Sequence, residues 1–81
     1  MNWDRIEGNW KQAKGKVKEQ WGKITDDQLD VIGGRREQLL GVLQESYGIA
    51  KDEAERQVRD WEKRNEREFD AAARSSRRDT H

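Results

Sequence analysis

The side chains that do most protein chemistry are scarce in this 81-residue chain and poorly placed for it. The single His is His81, the last residue, and no apolar stripe surrounds it to build a frame. A general acid or base must be held within hydrogen-bond reach of its target, and His81 lacks that support. No Cys is present, which removes a thiolate nucleophile, a thiol-ligated metal and a disulfide framework. Ser46, Ser75 and Ser76 have no His on an ordered element to activate them. Carboxylates gather at Asp26, Asp27 and Asp30 and again at Asp52 and Glu53. The first group lacks the ligand spacing and sixth-position glycine of an EF-hand loop. Acids that open a helix are accounted for by the cap and the helix dipole. The residues therefore point to no catalytic site, no metal site and no cofactor, and to a protein that is not an enzyme.

Binding chemistry is better supplied. Lys11, Lys14 and Lys18, spaced 3 and 4, share one flank of a helix beside Trp10 and Trp21. Five Lys stand against one Glu between residues 11 and 23. Basic groups beside aromatics can track a nucleic-acid backbone. Equally, Lys stems can cover the edge of a core while their heads stay in water. A second candidate is Gly48-Ile49-Ala50-Lys51-Asp52-Glu53-Ala54, which resembles the glycine turn of helix-hairpin-helix modules. Such turns offer backbone N–H groups and a helix N-terminus to phosphate. Here Ala50 occupies the place of the second glycine, and Asp52 and Glu53 would repel phosphate. A plain connecting turn is the competing reading. The candidate nucleic-acid residues are thus Lys11, Lys14, Lys18, Gly48 and Lys51.

These residues sit on elements that the chain writes twice. Residues 11–32 align with residues 37–58 at an offset of 26, without a gap. Gln12/Gln38, Gly15/Gly41, Glu19/Glu45, Gly22/Gly48 and Asp26/Asp52 are identical, and Val17/Leu43, Trp21/Tyr47 and Ile32/Val58 are alike. The unit reads as helix, glycine stop, turn, helix. Ile6, Trp10, Ala13, Val17 and Trp21 follow the 3.6-residue period, which predicts one helix from Asn2 or Trp3 to Trp21, ended by a left-handed Gly22. Thr25 and Gln28 form a capping box for a second helix carrying Leu29, Val31 and Ile32, broken at Gly33-Gly34. A third carries Leu39, Leu40, Val42, Leu43 and Tyr47 and stops at Gly48. A fourth starts at an Asp52 cap, buries Ala54, Val58, Trp61 and Phe69, and carries i,i+4 pairs Asp52/Arg56, Glu55/Arg59 and Asp60/Arg64. Gly15 and Gly41 lie inside helices, where each costs about 0.8–1.0 kcal/mol relative to Ala. Close approach of another backbone is the expected reason, so Ala at either position should destabilise.

Composition sets the outer bounds. The chain is 42% charged and 31% apolar at zero net charge, with four Trp. Each large aromatic buries about 150–250 Å², so a sparse, Trp-rich core can still fold. Residues 1–69 form one helical domain, and residues 70–81 are expected to be a mobile basic tail carrying Arg74, Arg77 and Arg78. The start MNWDRIEGNWKQ carries no apolar run of a signal peptide, and no stretch approaches a membrane span. A cytoplasmic location and no membrane insertion are expected.

The run NWKQAKGKVKEQWGKITDD, followed by QESYG and DWE, resembles the CsbD-like family of small bacterial stress-associated proteins. The resemblance covers residues 1–68. It implies an all-α fold of two duplicated helical hairpins packed at a steep angle, SAM-domain-like, in a cytoplasmic protein that accumulates under general stress. It supplies no catalytic residues to carry over. Trp10, Gly15, Trp21, Gly22, Gly41, Tyr47, Gly48 and Trp61 are the expected structural positions. A mean hydropathy of −1.39 with 7 Gly is similar to that of hydrophilins, polar proteins linked to water deficit. Two functions follow: a stress-associated domain that binds or protects macromolecules, or a weak, sequence-independent nucleic-acid binder. A monomer with weak protein or nucleic-acid contacts is expected, with its partner unknown. An exposed Trp3 would mark a contact surface.

Overall fold

The structure, a computed structural model, describes the backbone of residues 2–78 and the side chains of residues 2–66. The described backbone is all-helical, with five helices: α1 (Trp3–Gly8), α2 (Trp10–Gln20), α3 (Asp26–Ile32), α4 (Arg36–Tyr47) and α5 (Lys51–Arg78). A helix rises about 1.5 Å per residue, so α5 sets the long axis of a body measuring 49 × 23 × 19 Å. Helix α4 packs against both α3 and α5.

The first helix is not continuous. It breaks at Asn9, whose φ of −115° and ψ of 31° leave the helical region. The Asn9 N–H still donates to the Arg5 and Ile6 carbonyls, and the ladder resumes with Gln12 and Ala13 donating to the Asn9 carbonyl. The apolar spacing runs through the break unchanged, which is why sequence periodicity does not reveal it. The break turns α1 toward α5. Ile6 is buried, and the Trp3 indole stacks at a tilt on Trp61, centroids 5.8 Å apart.

Helix α3 starts as its sequence demands. The Thr25 hydroxyl accepts from the Gln28 N–H, and the Gln28 carboxamide accepts from the Thr25 N–H. Gly33 ends it in the left-handed conformation, as Gly48 ends α4. Gly22 differs from its counterpart Gly48. Among the described residues positive φ occurs at Gly33, Gly34 and Gly48, not at Gly22. Trp21 ends α2 instead, at φ −124° and ψ 83°, and its carbonyl accepts from Ile24 N–H to close the turn. That geometry sends the indole and Ile24 into the core, so no left-handed residue is needed. Helix α5 opens at Lys51, one residue before the expected Asp52 cap, which leaves Asp52 and Glu53 inside the first turn.

One apolar core holds the helices together: Ile6, Ala13, Val17, Trp21, Ile24, Leu29, Ile32, Leu39, Leu40, Val42, Leu43, Ala54, Val58 and Trp61. No polar or charged residue is buried among the described residues. Val31, carried on α3 with Leu29 and Ile32, is 65% exposed because it falls off the buried stripe. The expected Phe69 contact lies outside the described side chains. The backbone of α5 stays helical to Arg78.

The mid-helix glycines correct the sequence reading. Gly15 and Gly41 are exposed, and a Cβ built on either meets nothing within 4 Å. No backbone approaches them. The close approach is at Gly34, where φ is +84° and a Cβ would lie 2.5 Å from Glu7 Cα and 2.9 Å from Glu7 N. The α1 backbone rests directly on this glycine.

Candidate binding surface

Helix α2 positions the lysine flank, and α3 answers it. The Thr25 cap aims the first turn of α3 so that Asp26 reaches Lys18 and, one turn on, Asp30 reaches Lys14. Lys18 Nζ donates to Asp26 Oδ1 at 2.8 Å, and Lys14 Nζ lies 4.0 Å from Asp30 Oδ1. The Lys18 bond, with its charge, holds the Asp26 carboxyl below the usual carboxylate range. Both pairs remain wet, with side chains 43–84% exposed, and exposed pairs contribute about 0–1 kcal/mol. Two of three candidate phosphate contacts already face carboxylates, and Lys11 alone among the three has no ion pair among the described residues.

The turn candidate is placed separately. Gly48 is the left-handed end of α4, Lys51 the first residue of α5, and both are exposed. Of the two acids after Lys51, Glu53 is engaged. Glu53 accepts from the Arg56 guanidinium at 2.6 Å and from Gln57, and these bonds keep its carboxyl below its ordinary value. The same contact raises the Arg56 pKa. Arg56 thus pairs with Glu53 and Asp60 where Asp52 was expected, and Arg64 donates to Gln20 Oε1 where Asp60 was expected.

The aromatic positions make contacts between helices and turns. Trp10, half-buried, donates its indole N–H to the Leu29 carbonyl at 2.9 Å and ties α2 to α3. Trp21 donates to Gln57 Oε1 at 2.9 Å and stacks on Trp61, centroids 6.0 Å apart. Tyr47 accepts from the Lys23 N–H at 3.3 Å while the Lys23 ammonium sits 5.3 Å from its ring centre. Trp61 is the buried centre of this set.

Two features gave no sequence signal. An open polar cleft of about 270 Å³ lies between α2 and α5, lined by Lys16, Glu19, Gln20, Trp61, Arg64 and Asn65. Glu62 joins three helices: its Oε2 accepts from the Trp3 indole at 3.0 Å, and its Oε1 lies 3.6 Å from Arg36 Nε. Neither the residue types nor their spacing mark Glu62 among so many charges.

Among the described residues no group of His, Cys, Asp or Glu is arranged to hold a metal ion, and no helix is long and apolar enough to cross a membrane.

The family model described as CsbD-like matches residues 4–56, which contain α1 from Asp4 onward, α2 to α4, the lysine flank and both turns. The chain belongs to the CsbD-like family. This CsbD-like chain is 64% identical over 66 residues to the UPF0337 protein YjbJ of Escherichia coli K12, covering 82% of the chain and 96% of that protein. It is 67% identical over 61 residues to a UPF0337 protein of Rhodopseudomonas palustris, covering 75% and 92%. A UPF0337 protein of Nitrosomonas europaea is 62% identical over 58 residues, covering 72% and 62%. None of these names states a reaction or a ligand.

Proposed function

We propose that this CsbD-like domain is a non-enzymatic, cytoplasmic, general-stress-associated protein that protects other macromolecules through weak, hydrated contact. It acts as a monomer at ordinary concentration and uses no cofactor or metal. The observation that carries this reading is the surface. Val31 is the one large hydrophobic exposed among the described residues, while a chain 42% charged has zero net charge. Such a surface holds water and adheres weakly, because sticky contact needs an apolar patch of several hundred Å². At high concentration it separates aggregation-prone neighbours without competing for their folded surfaces. The arrangement is read as two related hairpins, residues 11–32 and 37–58, crossing steeply in a SAM-like way. The aligned buried pairs Val17/Leu43 and Ile32/Val58 support it. The functional test dries or heats a labile enzyme with this protein or with an equal mass of albumin. Greater recovery with this protein is expected, and equal recovery would remove the claim.

The second reading is weak, sequence-independent nucleic-acid binding through Lys11, Lys14 and Lys18, with Gly48 and Lys51 as the additional contact. It is favoured by the three ammonium groups falling on one exposed flank of α2. Affinity would fall steeply with salt. No mobility shift with DNA or RNA at low salt excludes it.

A further inference from the structure

Helix α1 is six residues long, too short to be stable alone. It is held by its site on the body. Trp3 packs on Trp61, Ile6 is buried, the Glu7 backbone rests on Gly34, and the Trp3 indole is bonded to Glu62, which faces Arg36. Every one of these contacts is made to a residue at least 27 positions further along the chain or to the common core. The connection to α2 is different in kind. Gly8 is exposed with nothing near a Cβ, and Asn9 makes no side-chain cap. The Asn9 N–H donates to the Arg5 carbonyl and the Asn9 carbonyl accepts from the Ala13 N–H, at 3.0 Å each. The apolar positions Ile6, Trp10, Ala13 and Val17 keep one helical phase across the break. The segment is therefore written as one straight helix and folded as two, bent at a joint that nothing enforces locally. What bends it is the site for α1.

We propose that this site accepts α1 of a second copy, so that two chains exchange α1 and form a domain-swapped dimer. Straightening at Gly8–Asn9 carries α1 off its own body as the first turns of a continuous helix. The occupant is α1 itself, so the packing on Trp61, Gly34 and Glu62 is identical in the closed monomer and in the dimer. Exchange of an identical element costs little beyond association. The closed form loses helix continuity, which the exchanged form recovers. High protein concentration shifts the balance toward the dimer. This inference stands independently of the protective reading.

The chain has no Cys, so introduced thiols are unique. The test labels Asp4→Cys on α1 and Arg59→Cys on α5, both exposed positions, with spin labels, and dilutes the doubly labelled chain into unlabelled protein. Mass is followed by light scattering across concentration, and the distance within one chain by pulsed electron resonance. The wild-type chain is expected to dimerise as concentration rises, with the distance within the labelled chain lengthening in the dimer. Gly8→Ala with Asn9→Ala favours the straight helix in both partners and should tighten dimerisation by roughly tenfold or more. A wild-type chain that stays monomeric at its highest soluble concentration overturns the proposal. So does a dimer that keeps the monomer's distance, or a folded double variant that dimerises no more tightly.

Discussion

Gly15 and Gly41 occupy helix interiors with open space around them, so only backbone propensity acts there. Ala at either should raise stability by about 0.8–1.0 kcal/mol, read as a rise in Tm of several degrees in a thermal melt. Gly34 behaves oppositely. Its positive φ and the Glu7 backbone 2.5 Å from a Cβ exclude any side chain, and Gly34→Ala should cost about 1–3 kcal/mol. Three glycines that look alike on paper thus separate by the sign of one substitution. Sequence reasoning placed the close approach at the wrong pair because a mid-helix glycine advertises its cost, not its neighbours. Asp26 yields a pH prediction. Its carboxyl is held low by the Lys18 hydrogen bond, so the stability this pair supplies is present above the ordinary aspartate range. It is lost as pH falls through the lowered folded value. A carboxyl NMR titration should find the Asp26 midpoint below the usual aspartate range, moving up in Lys18→Gln. Protonating Asp26, or Asp26→Asn, also frees Lys18, which should strengthen any nucleic-acid binding by the α2 flank in a low-salt titration.

At the scale of elements, the Thr25 box and the Gly33 and Gly48 stops were legible, while the Gly22 stop, the Asp52 cap and the joint at Asn9 were not. The Thr25–Gln28 box is local chemistry, complete within four residues, and it appears as the sequence reads. Thr25→Ala removes one of its two reciprocal bonds and should cost about 1 kcal/mol, measured by chemical denaturation. Gly22 and Gly48 share a letter and a repeat position yet differ in backbone, because Trp21 leaves its helix extended to bury its ring while Tyr47 stays helical and half-buried. The lysine flank was legible as periodicity. Its acidic partners were not, since Asp26 and Asp30 lie 8 and 16 residues from their lysines, and only the packing of α3 on α2 joins them. The bend at Asn9 was invisible for the reason that a continuous stripe suits a bent pair of helices as well as a straight one.

Over the whole molecule, a small apolar inventory is concentrated on one aromatic column, Trp3, Trp61 and Trp21, with centroid spacings of 5.8 and 6.0 Å. Domains of this size keep only about 5–15 kcal/mol in hand. Trp61→Ala should cost about 3–5 kcal/mol and leave circular dichroism with a broad, low melt. Four Trp in so polar a chain announced such a core, and the family resemblance gave its helical class. The order of assembly is a separate matter. The bond from Trp3 to Glu62 spans 59 residues, so the Trp3 indole N–H lacks this acceptor until Glu62 has been made. Synthesis at about 5–20 residues per second puts that wait at roughly 3–12 s. Throughout it, α1 of one nascent chain and the finished body of the chain ahead share a polysome.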